Sequence, residues 1–157
     1  MTAIKGVMKE VMMIVEAIEE SDLFKGVSKE FLHEIGKAGE VKHCKRDSFI
    51  FHANEKARYV YQLIEGTIDI MMAEKEIIHF TVTRPGEIIG WSALVEPYTY
   101  TATAKCTSDT RVVRMSRESL EKIIMKHPSD GLAILKHLTG IISHRLRHAY
   151  LYIYNKG

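Results

Sequence analysis

Arg84-Pro85-Gly86-Glu87-Ile88-Ile89-Gly90-Trp91-Ser92-Ala93-Leu94, followed after Glu96-Pro97-Tyr98 by Tyr100-Thr101-Ala102-Thr103-Ala104, is the stretch that decides how this chain is read. Pro85-Gly86 signals a tight turn. Gly90 admits a backbone conformation closed to other residues and lets a ligand come close. Residues 91–94 have the length of one helical turn. The first N–H groups of such a turn are unpaired within it, and free N–H groups at a helix start attract phosphate or carboxylate. A glycine-bounded corner is also common in β-barrels, so the pattern alone marks a candidate site and not a function.

On both sides of this stretch the chain reads as short strands. Residues 41–44, 48–52, 59–64, 67–72, 77–83, 100–106 and 111–115 are rich in β-branched and aromatic side chains. Turn signals separate them at the intervals of an antiparallel sandwich or barrel: Lys45-Arg46-Asp47, Ala53-Asn54-Glu55-Lys56, Glu65-Gly66, Pro85-Gly86 and Ser108-Asp109. No internal repeat and no low-complexity linker divides the chain, so residues 1–157 read as one domain. Its parts are N-terminal helices over 1–39, strands over 40–115 and C-terminal helices over 116–157.

The flanks change to helical periodicity. Val7, Val11, Ile14, Val15 and Ile18 predict a first helix with one apolar face. Ser28 is a natural N-cap for a second helix carrying Phe31, Leu32 and Ile35, with Gly36 as its expected end. Ser116 caps a third helix through Leu120, Ile123 and Ile124, which Pro128 is expected to end. A last helix starts near Ser129 or Asp130. In it Leu132, Leu135, Thr139, Ile142, Leu146, Ala149 and Ile153 alternate at three and four residues, the spacing of a two-stranded coiled-coil seam. The reading is a parallel homodimer through residues 130–153; the alternative is a helix packed only on its own sheet.

Composition narrows the function classes. Hydrophobic residues at 46% and charged residues at 27% fit a soluble globular protein. A net charge of +2 is too small to imply nucleic-acid binding. Lys136, His137, His144, Arg145, Arg147 and His148 form a locally basic run that reads first as a solvated helix face. Residues 7–18 are interrupted by charges and are neither a signal peptide nor a membrane span. Cys44 and Cys106 stand far apart in sequence, which argues against a disulfide framework or a CxxC site and points to a reducing, cytoplasmic compartment.

Four groups of residues, in order and at consistent spacing, resemble the cyclic nucleotide-binding domain of catabolite-activator-type regulators. They are Leu23-Phe24-Lys25-Gly26-Val27, Tyr61-Gln62-Leu63-Ile64-Glu65-Gly66-Thr67-Ile68, the pair Pro85-Gly86-Glu87-Ile88-Ile89-Gly90 with Thr101-Ala102, and Ile142-Ser143-His144-Arg145-Leu146. The resemblance implies an α+β fold: a double-stranded β-helix, or jelly-roll-like β-roll, with N-terminal helices and a long C-terminal dimerisation helix. It implies that residues 84–104 correspond to the family's phosphate-binding cassette. The candidate ligand-binding residues are Gly90, Trp91, Ser92, Ala93, Tyr100, Thr101 and Arg145.

Two positions depart from the family pattern. Where the cyclic-nucleotide binders have an acidic residue for the ribose, this chain has Trp91; where they have an arginine for the phosphate, it has Tyr100. A phenol offers one neutral donor in place of a charged fork, and each lost charged hydrogen bond costs about 1.5–3 kcal/mol. Three readings follow. The pocket takes a different ligand that stacks on Trp91 and Tyr100; it takes a cyclic nucleotide, cAMP or cGMP, through backbone N–H groups and a substitute cation; or its own aromatics fill it and leave a constitutive dimeric interaction module.

No GxSxG or HExxH motif and no paired nucleophile and base appear, so no enzyme is expected. His144 and His148, four apart, read as a surface pair before a metal site, and a haem held by His52 or His79 finds little support. No helix-turn-helix follows the long helix, so direct DNA binding is not expected, and a protein partner is left open.

Overall fold

In the computed structural model, which describes residues 2–72 and 78–156, the alternating segments pair into two four-stranded antiparallel sheets. One has the order β1 (Glu40–Cys44), β8 (Thr110–Ser116), β3 (Tyr59–Glu65), β6 (Ile88–Ile89). The other has the order β2 (Phe49–Phe51), β7 (Thr103–Cys106), β4 (Ile68–Met71), β5 (Ile78–Val82). The chain passes back and forth between the sheets, which makes the β-roll implied by the resemblance. The strand expected over 77–83 is found as β5, and Ile77 lies outside the described residues.

Burial explains the strand pattern. β8 buries Val112, Val113 and Met115. β3 buries four successive residues, Val60 to Leu63, because one face meets the roll interior and the other meets the helices. Gln62 shows that second face directly: its side-chain amide donates to the Ala17 carbonyl at 2.7 Å. The strand expected from residue 100 begins only at Thr103, since residues 99–102 bend through the cassette.

The helices also depart in places from their sequence reading. α1 (Thr2–Glu19) packs only its C-terminal half: Ile14 and Ile18 are buried, whereas Ile4, Val7, Met8 and Met12 are exposed. α2 (Lys29–Ala38) starts as expected, with Ser28 Oγ accepting from the Phe31 N–H, but runs through Gly36. Gly36 marks a close helix crossing: a Cβ there would stand 2.7 Å from a Val15 methyl. α3 (Arg117–Lys126) is capped by Ser116, and α4 spans Pro128–Lys156. Pro128 therefore opens the last helix, where its missing N–H costs nothing.

Asp130 in the first turn of α4 ties the two ends of the chain together. Its carboxylate accepts from the Ser28 N–H at 2.9 Å and from the Ser28 hydroxyl at 2.6 Å. Ser28 in turn caps α2, so one carboxylate orients both helices. Asp130→Ala should lower unfolding stability by about 1.5–3 kcal/mol, the range for hydrogen bonds to a charged group. Urea unfolding checks this, and a midpoint unchanged from the parent contradicts it.

Candidate functional site

The cassette begins with a turn held from three sides. Glu87 accepts from the Thr83 and Arg84 N–H groups, and Arg84 forms a two-pronged pair with Asp22 at 3.2 and 2.6 Å. Gly86 donates to the Leu63 carbonyl, and its own carbonyl accepts from the Asp22 N–H. Gly86 has φ 95°, and a Cβ there would lie 2.8 Å from the Glu20 carbonyl oxygen. The turn is thus pinned to β3 and to the segment after α1.

Gly90 adopts φ 76° and admits the single 3-10 turn Trp91–Leu94. Ala93 is fully buried on the inner side of this turn, and Ser92 and Thr101 stand at the mouth of the site. The N–H groups of Ser92, Thr101 and Ala102 make no hydrogen bond to another described residue. These groups remain available to an anion.

The two divergent aromatics do different work. Tyr100 is 4% exposed, stacks on Phe51 with ring centres 3.9 Å apart, and donates its hydroxyl to the Tyr59 carbonyl at 2.7 Å. Burial pushes its phenol pKa up. Trp91 is half-buried and lies under a cation: the Arg145 guanidinium of α4 sits 4.9 Å from its ring. The same guanidinium lies 4.1 Å from the Phe80 ring of β5 and donates to the Ile88 carbonyl at 3.1 Å. No carboxylate forms an ion pair with Arg145 among the described residues, and burial lowers its pKa to about 10, with Glu87 and Asp22 opposing the shift from farther off.

Gly90, Trp91, Ser92, Tyr100, Thr101 and Arg145 line one small cavity, with Phe51 and Ile70 completing its floor. Its volume is about 40 Å³. A water molecule takes about 30 Å³ of liquid volume, and ligand pockets run to about 300–1,000 Å³. The site is therefore shut in this conformation, by Arg145 on one side and the Phe51–Tyr100 stack on the other. A larger hollow, about 600 Å³, lies elsewhere, between Arg58, Tyr98 and Arg117.

Phe51, Phe80 and the Ile88 carbonyl are parts of the site that sequence reasoning missed. Phe80 reaches it only because β5 passes beneath α4, and no local motif encodes that crossing. The histidine readings place differently. His52 pairs with Glu55 at 2.9 Å and stacks on Phe49, facing outward. His144 and His148 pack ring to ring at 5.6 Å, and the described residues contain no group of three or more potential metal ligands. The side chain of His79 is not among those described.

The cyclic nucleotide-binding domain model matches residues 41–127, and the chain belongs to that family. The fold is shared with a cyclic nucleotide-binding protein from Geobacter metallireducens GS-15 (27% identity, 83% of this chain and 96% of that one, TM-score 0.74). It is shared with a cyclic nucleotide-binding domain from Methylobacillus flagellatus KT (20%, 95% and 85%, TM-score 0.78). The sensor domain of the transcriptional regulator DNR from Pseudomonas aeruginosa is also similar (18%, 87% and 93%, TM-score 0.72). No curated protein sequence matches the chain. Among the described residues no helix is long and apolar enough to cross a membrane.

Trp91 is the one tryptophan in the sequence, so its emission reports the Arg145 contact directly. Arg145→Ala should shift that emission to the red and raise its quenching by acrylamide, as the indole loses its cover. Identical spectra and quenching in the two proteins would mean that the contact does not form in solution.

Proposed function

We propose that residues 1–157 work as one regulatory ligand-sensing unit, which takes a nucleotide or another small molecule at Gly90, Trp91, Ser92, Ala93, Tyr100, Thr101 and Arg145. The observation that carries this reading is the placement of Arg145 from α4 over the cassette. A guanidinium has five N–H donors, and among the described residues this one makes a single hydrogen bond, to a neutral carbonyl. An anionic ligand would offer it charge-assisted bonds, alongside the Ser92 and Thr101 hydroxyls and the free N–H groups. Such a ligand needs more room than about 40 Å³, so its entry displaces Arg145 or Trp91. Displacing Arg145 moves α4, which makes the helix the output. A cyclic nucleotide, cAMP or cGMP, fits this chemistry through its single negative charge; the regulatory subunit of a cAMP-independent protein kinase A from Trypanosoma brucei, similar in fold at 10% identity, is bound to cAMP as a triple mutant.

The α4 surface supports a dimeric output. Ile134, Leu138 and Arg145 face the domain, while Leu132, Leu135, Leu146 and Ile153 are all about half or more exposed, at 56%, 53%, 49% and 66%. The second set follows the three-and-four spacing of a coiled-coil seam and lies outside the core formed by the described residues. We assign α4 to pairing with a second copy and to no DNA contact, so that the signal passes through the dimer or a protein partner in a cytoplasmic setting. Leu135→Lys with Leu146→Lys should convert the dimer to monomer in sedimentation velocity. A parent protein that sediments as a monomer would remove this assignment.

One observation favours a second reading, a constitutive dimeric module without a ligand: the Phe51–Tyr100 stack occupies the floor of the site. Titration with cAMP, cGMP and their linear monophosphates, followed by thermal shift and Trp91 emission, separates the two. A bound ligand stabilises the fold by about 2.7 kcal/mol at a hundredfold excess over its dissociation constant. A saturable response lost in Arg145→Ala supports sensing. Flat traces for every nucleotide reject the nucleotide version, and a wider metabolite panel that is also flat leaves the module.

A further inference from the structure

The hollow of about 600 Å³ between Arg58, Tyr98 and Arg117 shares no lining residue with the cassette. Three separate segments build it. Lys56 and Arg58 precede β3, Tyr98 follows the 3-10 turn, and Arg117 opens α3. Backbone hydrogen bonds clamp the segments together. The Ala57 N–H donates to the Tyr98 carbonyl, and the Arg117 N–H donates to the Arg58 carbonyl, each at 2.8 Å. Tyr98 is held with φ 58°, in the left-handed region that bulky residues rarely enter, and its N–H donates to the Val95 carbonyl at 2.9 Å. The frame of the hollow is thus set by the backbone.

The charge lining it is one-sided. Lys56, Arg58 and Arg117 form no ion pair among the described residues. Glu118, the one carboxylate among the lining residues, pairs with Lys122 at 3.4 Å. Arg117 is half-buried, and its guanidinium lies 4.1 Å from the centre of the Tyr98 ring. Its Nη1 donates to the Ala57 carbonyl at a long 3.4 Å, the only side-chain hydrogen bond it makes among the described residues. Most of its five donors are therefore unused, while the aromatic contact fixes its orientation.

We propose that this hollow is a second ligand site, which takes a small molecule bearing a dianionic terminal phosphate. Its volume lies in the range of small-ligand pockets, about 300–1,000 Å³. A guanidinium fork matches phosphate oxygens in pairs, and two further cations stand beside it. A phosphate monoester carries a charge of about −1.5 to −2 at neutral pH, against the single charge of a cyclic nucleotide, and so suits three cations better. Tyr59 and Tyr98 line the same hollow and offer ring surface to the organic part of the ligand. The site stands on its own residues and does not depend on what the cassette binds.

The test is a titration of the full chain with phenyl phosphate, with phenol as the neutral control, followed through backbone amide shifts in nitrogen-15 spectra. The amides of Ala57, Arg58, Tyr98 and Arg117 should shift saturably with phenyl phosphate and stay still with phenol. Arg117→Ala should weaken binding about tenfold or more, the loss expected for a charged hydrogen bond. Lys56→Ala with Arg58→Ala, both exposed positions, should do the same with the spectrum of a folded protein retained. Arg145→Ala should bind phenyl phosphate as the parent does, which separates this site from the cassette. Shifts that do not saturate in the millimolar range, shifts confined to residues 90–92 and 100–102, or unchanged binding in the Lys56 and Arg58 variant would each overturn the proposal. Displacement of phenyl phosphate by hexaglutamate at lower concentration would overturn it too, and would give the face to an acidic protein segment.

Discussion

A half-buried guanidinium that forms no ion pair among the described residues organises this molecule. Arg145 belongs to α4, yet every group that holds it belongs to the roll: the Ile88 carbonyl, the Phe80 ring and the Trp91 ring. A cation drawn partly out of water needs compensation, and here two π faces and one carbonyl supply it. The same contact closes the candidate cassette and docks the middle of α4. Site and helix are therefore one mechanical unit. In the proposed function, a ligand that competes for the guanidinium acts on the helix without any further relay.

The rest of the fold serves to fix the wall against which Arg145 rests. Asp22, Glu87 and the Gly86 backbone pin the turn before β6 to β3, so Ile88 presents its carbonyl from a rigid strand. Tyr100 gives the site a solid floor, since its ring is stacked on Phe51 and its hydroxyl is used by Tyr59. At the other end of α4, Asp130 anchors the first turn to Ser28. The helix is thus held at its start and at its middle, and its exposed stripe is the surface proposed to pair with a second copy.

Much of this architecture was legible in the sequence because it rests on local chemistry. Alternating strands, the caps at Ser28 and Ser116, and the Gly90 corner all follow from short-range rules. The resemblance carried in four motifs supplied the topology that periodicity could not. What escaped was set by tertiary contacts. Gly36 looks like a helix end but is a crossing point against Val15, and Pro128 looks like a break but is a helix start. Trp91 and Tyr100 look alike in the sequence, yet one lies under Arg145 and the other is a core residue on Phe51.

The mechanical linkage between the cassette and α4 can be measured by hydrogen exchange whatever the ligand is. Exchange in residues 88–94 and 138–149 should be compared between the parent protein and Arg145→Ala. Protection should fall in both segments together while the core of β3 and β8 is unchanged. Loss of protection in α4 alone, with the cassette as slow as before, would contradict the linkage and separate the helix from the site.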